Sequence, residues 1–61
     1  MQGHIISHDP ETNGGVIKGE DDNLYPFTRD ELYNGSHLKD GQLVMFTPDR
    51  GAATFISILS D

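Results

Sequence analysis

Cysteine and tryptophan are both absent from this chain. Without cysteine there is no disulfide, no thiolate metal site and no cysteine nucleophile, and redox chemistry leaves no clue to the compartment. Positive charge is scarce. Lys18, Arg29, Lys39 and Arg50 stand against ten acidic residues, for a net charge of −6. Nucleic-acid affinity comes largely from Lys and Arg neutralising phosphates, so this balance repels a polyanion at long range and argues against tight binding. Long apolar runs are missing too. No stretch approaches the length of a membrane span, and no basic segment leading into an apolar one opens the chain. Membrane contact by this segment is not expected, and the expected location is the cytoplasm.

What remains is enough for one small fold. The chain has 61 residues, 34% of them hydrophobic. A chain of this size buries only about 60% of its unfolded surface, so a stability of a few kcal/mol is expected. It reads as one domain over residues 1–61, with the N-terminal part of a longer protein as the open alternative. Gly, Asn and Asp interrupt short β-branched and aromatic runs at roughly eight- to twelve-residue spacing, the pattern of a small all-β sandwich or barrel.

The spacing predicts strands over residues 2–7, 15–19, 24–28, 42–47 and 53–59. Between the first two lies a turn in which Pro10 fixes φ and Asn13-Gly14 supplies left-handed positions. Residues 20–23 form a polar turn and residues 48–51 another. Residues 29–33 read as a single helical turn, with Thr28 as N-cap and Glu31 as its capping-box partner, ended by Asn34-Gly35. Five strands with a helical turn between the third and fourth is the order of an antiparallel OB-fold barrel. Alternation assigns Ile5, Ile17, Val44, Phe46, Ile56 and Ile58 to the core.

Asp9-Pro10-Glu11-Thr12-Asn13-Gly14-Gly15-Val16-Ile17 follows Gly3-His4-Ile5-Ile6-Ser7-His8, and Lys39-Asp40-Gly41-Gln42-Leu43-Val44-Met45-Phe46 comes later. In order and spacing this resembles the cold-shock domain pattern G-x-V-K-W-F-N-x-x-K-G-F-G-F-I, an acidic turn, V-F-V-H-F, then E-G-Q-x-V-x-F. The likeness spans nearly the whole chain. A looser likeness is to bacterial proteins with a degenerate cold-shock-like domain ahead of membrane segments. The resemblance implies an OB-fold that binds single-stranded RNA or DNA on the face of strands one to three.

The departures fall on the binding residues. Ser7 stands at the family's exposed tryptophan, His8 at the neighbouring phenylalanine, and Gly14 and Val16 at the two surface phenylalanines of strand two. Each base stacked on an aromatic ring is typically worth about 1–3 kcal/mol, so their loss implies weak binding, above about 10 μM at physiological salt. The candidate nucleic-acid-binding residues are His8, Val16, Lys18, Tyr25, Phe27 and Arg29. Tyr25 and Phe27 would stack bases, His8 would add a third platform, and Lys18 and Arg29 would meet phosphates. Tyr25 and Phe27 lie two apart and share a face of strand three, which is either outward, as a stacking platform, or inward, as core. Pro26 between them has no donor and suggests an edge strand. The alternative function is a diverged protein-interaction or regulatory domain, favoured by the missing aromatics and the acidic charge.

No catalytic motif is present, so an enzyme is not expected. His4, His8 and His37 do not share a face as metal ligands must, and no cofactor is expected. Glu20-Asp21-Asp22 lacks the alternating ligands of a calcium loop and fits a solvated turn. The glycine-rich run over residues 14–19 is not a phosphate loop, since no helix follows and the Lys-Ser/Thr pair is missing. Asn34-Gly35-Ser36 matches a glycosylation sequon, without meaning in a cytoplasmic chain. The sequence leaves the oligomeric state open.

Overall fold

The structure, a computed structural model, describes residues 1–33 and 38–59. The end of the helical turn at Asn34-Gly35, the sequon and His37 lie outside the described residues. The fold is all-β. Its five strands are β1 (Gln2–His8), β2 (Gly15–Gly19), β3 (Leu24–Phe27), β4 (Leu43–Asp49) and β5 (Ala52–Ile58). They form one antiparallel sheet in the order β3-β2-β1-β4-β5.

The sheet curls until its two ends meet, as an OB-type barrel requires, but no ladder of hydrogen bonds joins β3 to β5. Closure is made instead by the segment between β3 and β4. Leu32 forms a parallel bridge to Ile56, and the Tyr33 N–H donates to the Ile56 carbonyl at 2.7 Å.

Inward residues alternate with outward ones along each strand. Ile5, Ile17, Val44, Phe46 and Ile56 are fully enclosed, and each contributes about 1.5–3 kcal/mol by leaving water. Ile58, expected among them, is only partly buried at the end of β5, where it packs against the edge of the cluster. Tyr25, Phe27, Leu38 and Ala53 complete the core.

Turns follow their residue chemistry, with two corrections. The expected four-residue turn over 48–51 is tighter, because β4 runs through Pro48 to Asp49. Only Arg50 and Gly51 form the loop, with φ of 52° and 82°, the doubly left-handed geometry that matches hairpin twist. Arg29–Glu31 is a single 3-10 turn, shorter than expected, and Thr28 makes no side-chain cap. Glu31 does not reach back to Thr28. Its Oε2 accepts from the Phe55 N–H across the gap at 3.3 Å, so the acid ties the turn to β5.

Two bulges set which side chains face out. In β1, Ile5 pairs with Ile17 but Ser7 pairs with Val16, which leaves Ile6 as the extra residue. In β5, Phe55 and Ile56 together oppose Phe46, since Met45 pairs with Ser57 and Thr47 with Thr54. Phe55 takes φ of 49°, in the left-handed region.

Candidate functional site

The register divides the six expected binding residues between two sides of the sheet. Ile5, Ile17 and Tyr25 form one cross-strand row, and His8, Gly15 and Phe27 form the next. Both rows face inward. Tyr25 is 8% exposed and Phe27 5%. The stacking role expected of Tyr25 and Phe27 therefore has no exposed ring to rest on, and the open choice between platform and core resolves to core. The cause is the barrel's need for volume: Tyr25 packs on Phe46 with ring centroids 5.1 Å apart and planes tilted by 55°.

Tyr25 is also anchored by its hydroxyl. It donates to Asp21 Oδ2 at 2.6 Å, while Asp21 accepts from the Asn23 backbone at 3.1 Å and its side-chain amide at 3.0 Å. The Tyr25 hydrogen bond is the main reason the Asp21 carboxyl sits below the usual carboxylate range, helped by Asn23 and opposed by desolvation. The same bond raises the Tyr25 phenol above its ordinary value, with desolvation adding to it. Part of the acidic turn is thus a structural latch on the core aromatic.

The β1 bulge carries His8 into the inward row at the open end of the barrel. There it is half-buried, and its Nδ1 lies 2.8 Å from Asp40 Oδ1. Gly15 lies between His8 and Phe27, and a Cβ there would run into the Ser7 carbonyl and the His8 Cα. His8, Phe27 and Arg29 line an open hollow of about 470 Å³ with Asp9, Thr12 and Thr28. Three of the six expected residues thus meet at one place.

Val16 and Lys18 lie on the opposite, outward side. Lys18 is flanked across the strands by His4 and Leu24, and Val16 by Ser7 and Pro26. Leu24 and Ile6 are exposed large apolar residues of this half. The outward face of β1–β3 therefore mixes Ile6, Val16, Leu24 and Pro26 with the polar Gln2, His4, Ser7 and Lys18, and its one ring is the imidazole of His4. Its single cation, Lys18, has Nζ 3.8 Å from Asp22 Oδ1. Such an exposed pair is worth little.

Two aromatic residues stand exposed where none was expected to matter: Tyr33 at 83% and Phe55 at 75%. Tyr33 follows the 3-10 turn, and Phe55 sits at the β5 bulge. Period-two alternation around Ile56 already put Phe55 on the outward side of β5. Nothing in the sequence signalled its left-handed backbone. Among the described residues no group of His, Asp and Glu is placed to hold a metal ion, and no helix is long and apolar enough to cross a membrane.

Fold and surface together define a small antiparallel β protein of OB-type strand order, with a mixed aliphatic and polar sheet face and the exposed rings of Tyr33 and Phe55 at its seam. No family model, no curated protein and no solved structure matches the chain.

Proposed function

We propose that this chain is a cytoplasmic binding module of degenerate cold-shock-like type, that its main ligand is a segment of another protein, and that single-stranded RNA or DNA is a weak ligand only. The observation that carries the reading is the outward face of β1–β3. Ile6, Val16, Leu24 and Pro26 stand on it among Gln2, His4, Ser7 and Lys18, and the rings of Tyr25 and Phe27 are in the core. A surface that binds single strands needs stacking platforms and unpaired cations. This one has aliphatic side chains, a single imidazole at His4, one cation beside an acid, and a net charge of −6 around it. Aliphatic surface flanked by charge is the composition of a protein contact.

Nucleic acid stays as the second reading because of the hollow at the end of β1–β3, where Arg29 and His8 come together near the turn that OB-type barrels use for binding. A ¹H–¹⁵N titration with dT and mixed-sequence oligonucleotides at low salt separates the two. The expected result is no shift below about 10 μM ligand and at most a salt-sensitive response at Arg29 and His8 above it. A sub-micromolar complex centred on Val16, Lys18 and Arg29 would make nucleic acid the main ligand.

A further inference from the structure

We infer that the hollow between the β1–β2 turn and the 3-10 turn is a binding site for a neutral, hydroxyl-rich ligand, the sugar ring of a saccharide. The site is separate from the sheet face proposed for protein contact, and it stands whether or not that face binds a protein.

The first ground is size and preorganisation. The hollow measures about 470 Å³, within the roughly 300–1,000 Å³ of small-molecule sites. One wall is fixed before any ligand arrives. The β1–β2 turn is closed by the Asp9 N–H on the Gly14 carbonyl at 2.8 Å and by the Asn13 N–H on the Asp9 carbonyl at 2.7 Å. Asp9 Oδ1 accepts from the Glu11 N–H at 2.9 Å, and Thr12 Oγ1 accepts from the Gly14 N–H at 3.2 Å. His8 is held at Nδ1 by Asp40. A wall set in advance loses little entropy on binding.

The second ground is what those bonds leave over. Asp9 keeps its Oδ2, Thr12 its hydroxyl proton and His8 its Nε2. On the other side Thr28 makes no side-chain cap. The Arg29 guanidinium has no hydrogen bond or ion pair among the described residues. Asp9 and Arg29 border the same hollow with opposite charges, yet no ion pair joins them. A few unspent donors and acceptors around one hollow are what orient a polar ligand.

Charge chooses the class. A phosphate or carboxylate would gain Arg29 but meet the Asp9 carboxylate, and the chain's −6 repels it on approach. The ribose of a nucleic acid brings its phosphate along and meets the same repulsion. A cation would gain Asp9 but meet Arg29. A neutral hydroxyl meets neither penalty. It donates to a carboxylate and accepts from a guanidinium, and both bonds are charge-assisted. Neighbouring hydroxyls on one ring can use the two groups together, and the threonine hydroxyls donate or accept as the ring requires. A saccharide carries such hydroxyls on a rigid frame, so few rotors are frozen.

The test is a ¹H–¹⁵N titration of the full chain with methyl glucoside, galactoside, mannoside and riboside at up to tens of millimolar. Inorganic phosphate, acetate and oligo-dT form the anionic arm. Three variants accompany the parent. Asp9→Asn keeps an oxygen for the Glu11 N–H and turns the other into a donor. Arg29→Met keeps an unbranched stem without donors. Thr28→Val is isosteric and removes a hydroxyl with no partner among the described residues, so it keeps the comparison readable if either charge variant melts lower. At least one glycoside is expected to shift the amides of Asp9, Gly15, Thr28 and Arg29 saturably in the millimolar range, with no loss as salt rises. Asp9→Asn and Arg29→Met should each weaken it at least tenfold, and Thr28→Val less. Shifts from phosphate, acetate or oligo-dT with none from the glycosides would overturn the neutral class and make the hollow an anion site. Glycoside binding unchanged in all three variants would overturn the placement. No response to any glycoside would overturn the inference and leave the protein-contact face untouched.

Discussion

The two bulged strands of this barrel lie at different places in the sheet and do opposite things with their side chains. In β1 the extra residue is the aliphatic Ile6, and the phase change behind it turns His8 inward at the barrel end. In β5 the extra residue lies at Phe55, and the left-handed backbone there holds a phenyl ring in solvent. The first half of the chain, β1–β3, therefore buries Tyr25 and Phe27 and shows water a mixed aliphatic and polar face. The second half, β4–β5, exposes one ring at its bulge. One inserted residue in each of β1 and β5 resets the phase behind it.

The core is common to both halves, so breaking it is the largest expected effect. Phe46 comes from β4 but packs on Tyr25 of β3, and it is 1% exposed. Phe46→Ala is expected to cost about 3–5 kcal/mol, comparable to the whole stability of a domain this small. Urea unfolding would show a chain largely unfolded at zero denaturant. A cooperative transition with a loss under about 1 kcal/mol would mean that the two halves do not share one core.

A smaller change probes the β1–β3 half alone. Gly15→Ala places a Cβ against the Ser7 carbonyl and the His8 Cα, both backbone atoms that cannot swing aside. The expected cost is about 1–3 kcal/mol, with the His8 and Arg29 signals displaced first. The β5 half responds in the other direction. Phe55→Gly removes a left-handed phenylalanine and is expected to add about 1 kcal/mol, a rise in Tm of several degrees. A destabilised Phe55→Gly would put Phe55 on the same footing as the rings of the meander and erase the contrast between the halves.

Much of this was legible beforehand because the same signals recur at several levels. The five strands follow from turn residues and period-two alternation. Ile5, Ile17, Val44, Phe46 and Ile56 were placed in the core by that period, and the structure encloses all five. The site was less legible for physical reasons. Whether Tyr25 and Phe27 point in or out depends on a one-residue phase, which period alone cannot set. The bulges at Ile6 and Phe55 carry no glycine or turn residue to mark them, so the inward turn of His8 and the left-handed backbone of Phe55 follow from no local rule. The capping box at Thr28 and Glu31 had the right spacing. It lost to a tertiary partner, the Phe55 N–H, because a three-residue turn has little helix to cap.

The smallest expected effect concerns the latch between the acidic turn and the core. Tyr25→Phe keeps the ring against Phe46 and removes only the hydroxyl that donates to Asp21 at 2.6 Å. The sign follows from the two titrations. Asp21 is lowered by that bond, so the latch stabilises the fold fully above the ordinary value of 3.8 and is lost as pH falls through the depressed folded value. Tyr25 is raised by it, so the latch is fully present below 10.0 and is lost as pH rises through the elevated folded value. The parent should therefore be more stable than Tyr25→Phe by a constant margin between these limits, with the margin shrinking at both ends. Urea midpoints of the two proteins at pH 3, 7 and 11 measure it. A margin at pH 3 as large as that at pH 7 would mean that Asp21 holds the hydroxyl equally well when protonated, and that its charge plays no part in the latch.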